Sequence, residues 1–129
     1  MCIVYSMADK KFTVLDLLDL ELSGHDTLNL KCIGGRRGLP RAITNPQINR
    51  PGLALSGFYE AFAGDRVQIF GRGEVAYLQK LHKEQNLEAL NGFFTDNMPC
   101  CVFSYNLEPT EDFRQIAEKN CCPILQTDL

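Results

Sequence analysis

A short glycine pattern at residues 71–76 is the first candidate for chemistry. The stretch reads Gly-Arg-Gly-Glu-Val-Ala and fits the G-x-G-x-x-G/A pattern of dinucleotide sites. It follows a predicted strand and opens a predicted helix, the context in which a helix N-terminus binds a pyrophosphate. The required acidic residue is poorly matched, because Asp96 precedes the next strand and Glu108 lies too far along the chain. A nucleotide site and an ordinary strand-to-helix turn both remain open, and we favour the turn.

A proline and neighbouring glycines mark a junction at residues 48–58. Pro51 fixes its own φ and favours an extended Arg50. Gly52 permits a close approach of two backbone segments. We regard Arg50, Pro51 and Gly52 as candidate ligand or interface residues, together with Gly71 and Gly73.

A second glycine-rich stretch, residues 34–38, reads Gly-Gly-Arg-Arg-Gly. Glycine amides and two guanidiniums can form an anion cradle. However, Pro40 prevents a helix from starting cleanly behind the stretch, and no G-x-x-x-x-G-K-[ST] pattern occurs in the 129 residues. We expect a solvated turn. The sequence leaves open whether Arg36 and Arg37 approach Arg50 in space.

The chain contains six cysteines, four of them in two adjacent pairs. Each pair is predicted to open a strand, where neighbouring side chains point to opposite faces. Each pair can then offer one sulfur to a given face, so we do not expect a four-thiolate zinc site. We interpret these cysteines as small buried hydrophobic residues in a reducing compartment. Any further role is open for Cys100, Cys101, Cys121 and Cys122.

No other residues form a recognisable catalytic group. His25 and His82 have no partners at metal-ligand spacing, and the serines lack a nucleophile elbow. We therefore expect no catalytic, cofactor or metal site in this chain. The net charge is −3 and no apolar run approaches the length of a membrane span, so neither a nucleic acid nor a membrane is an expected partner. The start of the chain has no basic region typical of a signal peptide, and we expect a cytoplasmic protein.

Hydrophobic periodicity predicts an α/β fold with a small, mostly parallel sheet and helical crossovers. Residues 1–11 are expected to form a frayed start and residues 12–129 a single domain. A capping box at Thr13 and Asp16 predicts a short helix over 14–20. The remaining helices are expected to start at Glu74, 87 and 109, and the strands to cover 28–33, 66–70, 99–105 and 123–127, with an extended segment over 42–49.

Several segments together resemble the N-terminal domain of HPr kinase/phosphorylase. Residues 50–58 read R-P-G-L-x-L-x-G-F, and residues 66–78 read R-V-Q-I-x-G-x-x-E-x-x-Y-L. Residues 38–43 read G-L-x-R-x-I, residues 107–109 read L-E-P, and residues 123–127 read P-I-L-x-T. The order and spacing of these segments carry the resemblance over about residues 12–129. It implies a fold similar to the N-terminal domain of the Mur ligases.

The resemblance also implies a function. The whole enzyme of this family is bacterial, cytoplasmic and typically hexameric, and it phosphorylates a serine of HPr, a carrier protein of the sugar phosphotransferase system. It uses ATP or pyrophosphate with Mg, and it removes the phosphate by phosphorolysis, which regulates carbon metabolism. Its P-loop and catalytic residues belong to a C-terminal domain that would begin after about Leu129.

On this interpretation the chain is a non-catalytic assembly or regulatory domain whose partners are its own catalytic domain and HPr. Two alternatives remain open. The first is a nucleotide or nucleotide-sugar sensor that binds near residues 50–52 or 71–73. The second is a stand-alone domain that docks other proteins.

Overall fold

The computed structural model describes residues 12–20, 28–51 and 63–129. The regular elements of these residues alternate strands and helices in the second half of the chain. They are α1 (Val14–Asp19), β1 (Lys31–Gly34), a short 3-10 helix (Arg36–Gly38), β2 (Ile48–Asn49), β3 (Val67–Phe70), α2 (Arg72–Lys83), α3 (Leu87–Phe93), β4 (Cys101–Phe103), α4 (Glu111–Lys119) and β5 (Ile124–Gln126).

The described strands form one five-stranded sheet in the order β1-β5-β4-β3-β2. Strands β2 to β5 are parallel, and the helices α2, α3 and α4 lie in the crossovers between them. The predicted α/β fold with a mostly parallel sheet is therefore confirmed. Strand β1 is the exception because it pairs antiparallel with β5, with Lys31 opposite Gln126. A short helical crossover between two consecutive strands makes them parallel, but β1 and β5 are not consecutive and no such crossover joins them. The local sequence therefore does not set their relative direction.

The first face of the sheet packs against α2, α3 and α4 through an aromatic cluster. The rings of Phe70 and Phe103 stack with their centroids 4.6 Å apart, and Phe113 from α4 contacts both edge-on. These three rings are completely buried. Burial of aromatic side chains contributes the largest share of apolar area in such a core.

The second face packs against α1 and the segment that follows β1. Val67, Val102 and Leu125 meet Val14 here. The helix α1 starts at the predicted capping box, because Asp16 N donates to Thr13 Oγ1 at 3.1 Å and Thr13 N donates to Asp16 Oδ2 at 2.9 Å. Residues on alternate positions of each strand thus face two different hydrophobic clusters, as the pleat of a sheet requires.

Several predicted boundaries were wrong. Strand β1 begins at Lys31, because Asn29 adopts a left-handed conformation (φ +50°) that interrupts the extended backbone. Helix α2 begins two residues before Glu74, since that glutamate belongs to the first turn and its carboxylate accepts from Gly71 N. The second cysteine pair does not open a strand, because Cys121 ends the turn after α4 with φ +53° and β5 starts at Ile124. The segment 42–49 was predicted only to be extended; within it, Ile48–Asn49 pairs in the sheet as β2 and Ala42 forms an isolated antiparallel bridge with Thr13.

Helix length also bears on membrane association. No helix within the described ranges is long and apolar enough to cross a lipid bilayer.

Candidate functional site

The carboxyl ends of the parallel strands bring several candidate residues together. Arg50 follows β2, Gly71 follows β3 and Ser104 follows β4, so all three lie at one edge of the sheet. Ligands of open α/β sheets bind outside this edge. The predicted site therefore lies where the fold class places binding sites.

Gln68 fixes β2, and with it Arg50, against β3. This glutamine is completely buried, and its Oε1 accepts from Asn49 Nδ2 at 2.8 Å. Its Nε2 donates to the carbonyls of Ala63 and Arg66 at 2.9 and 2.7 Å. Because a buried amide costs free energy when unpaired, this network favours a single register of β2.

Arg50 and Glu74 form an ion pair at the carboxyl ends of the parallel strands. Arg50 Nη2 donates to Glu74 Oε1 at 2.7 Å, and the same oxygen accepts from Gly71 N at 2.9 Å. Partial burial acts to raise the pKa of Glu74, but the hydrogen bonds from Arg50 and Gly71 outweigh it, so the pKa lies below its ordinary value. The Arg50 pKa is raised, first by its hydrogen bond to Glu74. The carboxylate is therefore held in its charged form.

This arrangement bears on the dinucleotide pattern. The Gly71 amide at the N-terminus of α2, which would face a pyrophosphate, already donates to Glu74. A Cβ at Gly71 would lie 2.8 Å from Arg50 Nη2, whereas a Cβ at Gly73 would meet no heavy atom within 4 Å. The lack of a side chain at Gly71 thus leaves room for the ion pair between Arg50 and Glu74. Gly73 is an exposed residue of the first helical turn.

The other two candidates of the junction lie differently. Pro51 is buried next to the exposed Arg50. Gly52 lies outside the described residues. The structure thus brings Arg50 and Gly71 into contact, and it places Gly73 two residues further along.

Sequence reasoning missed a second cation at this edge. The guanidinium of Arg72 lies 4.3 Å from the ring centroid of Tyr105, a cation–π contact. Tyr105 and Asn106 both have φ near +55°, and their amides donate to the carbonyls of Leu129 and Thr127 at 2.8 Å. Asparagine tolerates this conformation but tyrosine rarely adopts it, so no sequence signal indicated that the ring would turn over α2.

The glycine-rich stretch 34–38 does not form an anion cradle. The Gly35 amide donates to Glu118 Oε1 at 2.7 Å, so a carboxylate of α4 occupies the position of an anion. A Cβ at Gly35 or Gly38 would lie within 2 Å of the carbonyl oxygens of Cys122 or Cys121. The predicted turn is confirmed, but its glycines are packed and only its arginines are solvated.

The three arginines of the candidate sites do not converge. Arg36 and Arg37 follow β1, whereas Arg50 follows β2. β1 and β2 are the two outermost strands of the sheet, on opposite sides. They are separated by four strand spacings, or about 19 Å.

The cysteines of the core divide between the two faces of the sheet, as predicted for the first pair. Cys100 belongs to the second face, whereas Cys101 packs on the first face beside Cys122. Burial raises the pKa of Cys100 and Cys101 well above the ordinary thiol value. Cys32 is half-buried, and burial raises its pKa less strongly. Among the described residues, no group of three His, Cys, Asp or Glu side chains is arranged to hold a metal ion.

His82 lies on the surface, as expected, but it has a partner that the sequence did not indicate. Its Nδ1 lies 3.1 Å from Asp112 Oδ2 and links the end of α2 to the start of α4. The Asp112 pKa lies below its ordinary value. Partial burial acts to raise it, but the hydrogen bonds from Thr110, His82 and Phe113 N outweigh this effect. His25 lies outside the described residues.

A mostly apolar cavity of about 710 Å³ lies over the second face of the sheet among the described residues. Its lining includes Val67, Ile69 and Val102 from the strands, with Asn45 and Gln47 among its polar members. None of the described residues that line it has a charged side chain. The described part of the lining therefore offers apolar contacts and hydrogen bonds but no general acid or base.

Comparison with known proteins identifies the family. The family model for the HPr serine kinase N terminus matches residues 13–129. The HPr kinase/phosphorylase of Treponema pallidum (strain Nichols) is 47% identical over 113 residues, which cover 88% of this chain and 35% of that protein. The HPr kinase/phosphorylase of Leptospira biflexa is 39% identical over 108 residues, covering 84% and 34%.

The match is confined to one part of each relative. The HPr kinase/phosphorylase of Lachnoclostridium phytofermentans is 43% identical over 86 residues, which cover 67% of this chain and 28% of that protein. The chain thus spans about a third of the length of the curated relatives it matches. The resemblance first seen in the segments at residues 50–58 and 66–78 is confirmed, and the chain belongs to the family of HPr serine kinase N-terminal domains.

Proposed function

We propose that this chain is the N-terminal, non-catalytic domain of a bacterial HPr kinase/phosphorylase, and that it serves assembly or regulation. The observation that carries the proposal is the extent of the family match. It covers 13–129 of this chain but about a third of each relative. The kinase and phosphorylase chemistry then belongs to the remaining two thirds.

The residues of the chain support this division. Phosphoryl transfer needs a phosphate cradle, a metal and a positioned base in one place. The 129-residue sequence contains no G-x-x-x-x-G-K-[ST] pattern. The two candidate cradles of the described residues are filled internally, one by Glu74 and the other by Glu118.

The parent enzyme, on this proposal, phosphorylates a serine of HPr with ATP or pyrophosphate and Mg and reverses the reaction by phosphorolysis. It works in the cytoplasm as a hexamer and regulates carbon metabolism. Its partners are HPr and, for this domain, the catalytic domain of the same polypeptide.

Two measurements test the proposal together. An antibody against this domain should detect a polypeptide of more than twice 14.5 kDa in lysate of the source cells. The isolated chain should not transfer ³²P from ATP to HPr in the presence of Mg, whereas the long polypeptide should. Phosphorylation of HPr by the isolated chain, or a native band at 14.5 kDa, would contradict the proposal.

A ligand-sensing role is the second candidate, because Arg50 and Gly71 meet at the binding edge of the sheet. The ion pair with Glu74 would have to open to admit an anionic ligand. Isothermal titration calorimetry with nucleotides and nucleotide sugars should therefore show stronger binding to Glu74→Gln than to the wild type. Silent traces for both proteins would exclude these ligands.

A further inference from the structure

In the core between the sheet and the helices, the sulfur of Cys101 lies close to two other sulfur atoms. Met98 Sδ lies 3.9 Å from Cys101 Sγ, and Cys122 Sγ lies 4.0 Å from the same atom. All three side chains are completely buried. Thiolates and thioethers are soft donors, and together they select soft ions such as Cu(I).

The spacing of the sulfurs suits a shared metal. Sulfur ligands at the usual metal–sulfur distance of about 2.3 Å lie about 4 Å apart when they surround one trigonal ion. The two separations that involve Cys101 Sγ, to Met98 Sδ and to Cys122 Sγ, already have this value. Ordinary packing of sulfur atoms gives the same spacing, so the spacing alone does not separate a metal site from simple packing. A buried charge near these residues is what favours a metal site.

That charge belongs to Arg41, which is only 4% exposed. Its Nη1 donates to Met98 O at 2.7 Å and its Nη2 donates to Asn120 O at 2.6 Å. Its Nε has no partner, and neither ion pair among the described residues includes it. The carbonyl of Asn120 ends α4, where the helix dipole supplies a charge of only about −0.5. A buried cation without a full counter-charge is costly, so an anion in this position would stabilise the core.

We propose that Met98, Cys101 and Cys122 bind one Cu(I) ion, and that Arg41 balances the charge of the complex. On binding, each thiol releases its proton to solvent and forms a copper–sulfur bond, and the Met98 thioether donates a neutral lone pair. Copper stays Cu(I) and no electron is transferred. Two thiolates and one Cu(I) carry a net charge of −1, which the guanidinium cancels. Zn(II) would give a neutral complex and leave Arg41 unbalanced, so the site prefers the monovalent ion.

Copper loading during folding provides the test, because the buried sulfurs are reached when the core is open. The reduced, denatured chain is refolded without oxygen in the presence of one equivalent of Cu(I) and then challenged with the chelator bicinchoninate. The wild type should retain one equivalent, and X-ray absorption should show a shell of sulfur atoms alone. Zn(II) offered in the same way should be lost to a chelator of matched strength.

Matched variants locate the ion. Cys101→Ser and Cys122→Ser should lose the copper, whereas Cys32→Ser and Cys100→Ser should retain it. Met98→Leu conserves side-chain volume and should reduce the shell from three sulfurs to two, a change that loss of stability alone does not produce. Circular dichroism of each variant identifies any that fails to fold.

The proposal is overturned if the wild type retains no copper after the chelator challenge. It is also overturned if Cys32→Ser or Cys100→Ser loses copper as completely as Cys101→Ser. An unchanged three-sulfur shell in Met98→Leu would exclude the thioether as a ligand and refute the site as proposed.

Discussion

Gly38→Ala should strongly destabilise this domain, because residue 38 lies against the backbone after α4. A Cβ at this position would lie 1.8 Å from Cys121 O and 2.7 Å from Pro123 Cδ. Neither contact involves the end of a flexible side chain, so backbone must move to relieve the overlap. Overpacking of a core typically costs about 1–3 kcal/mol, and we expect the upper end of that range.

Gly73→Ala is the matched control, since the same Cβ would meet no heavy atom within 4 Å. Residue 73 is exposed in the first turn of α2, where alanine favours the helix over glycine by up to about 1 kcal/mol. The two alanine variants therefore change stability in opposite directions although the added atom is the same.

Urea unfolding followed by circular dichroism measures both effects. With m values of about 1–3 kcal/mol per molar urea, Gly38→Ala should lower the midpoint by about 1 M or more, and Gly73→Ala should leave it unchanged or raise it. A Gly38→Ala midpoint equal to that of the wild type would refute the close approach of residue 38 to Cys121. Strong destabilisation by Gly73→Ala would show that this glycine has a role its surroundings do not indicate.

Three further predictions follow from the core, the first helix and the ion pairs. Phe70→Ala should cost about 3–5 kcal/mol in urea unfolding because it removes the central ring of the aromatic cluster, whereas Leu87→Ala, at a position that is 49% exposed, should cost far less. Thr13→Ala should cost about 1 kcal/mol by the same measurement because it removes the cap of α1, and an unchanged midpoint would contradict the capping box. The lowered pKa values of Asp112 and Glu74 mean that their stabilisation is present above the ordinary values of 3.8 and 4.5 and is lost as the pH falls through the folded-state values. Urea midpoints measured down to acid pH should therefore fall less steeply in Asp112→Asn and Glu74→Gln than in the wild type.

The elements with strong local signals could be predicted from the sequence. Helix α4 carries acidic residues in its first turn, a lysine in its last turn and a stripe that includes Phe113 and Ile116. It forms over Glu111–Lys119, so the helix was predicted correctly although it starts two residues after the predicted position 109. The capping box of Thr13 and Asp16 likewise appears as predicted. Such signals act within one helical turn, so the sequence contains everything that decides them.

The interactions of the candidate site could not be predicted in the same way. Arg50 and Glu74 are 24 residues apart, and nothing in either segment indicates that one guanidinium and one carboxylate will meet. In the sequence, Arg41 is distinguished only as part of the family segment 38–43. In the structure, it is the most deeply buried arginine of the described residues. Burial of a charge depends on which segments pack around it, and that is settled by long-range contacts.

The sequence alone determined the fold class, the alternation of strands and helices in the second half, and the family. Each of these depends on hydrophobic periodicity or on the order of short segments, and both can be read directly from the sequence. Only the tertiary structure decided that Glu74 fills the edge where a nucleotide would bind and that Glu118 fills the glycine-rich turn. It also decided that Cys101 Sγ lies 3.9 Å from Met98 Sδ and 4.0 Å from Cys122 Sγ, and that the buried guanidinium of Arg41 donates to Met98 O. These contacts join residues on separate elements, and the packing of the helices against the sheet sets the distances between them.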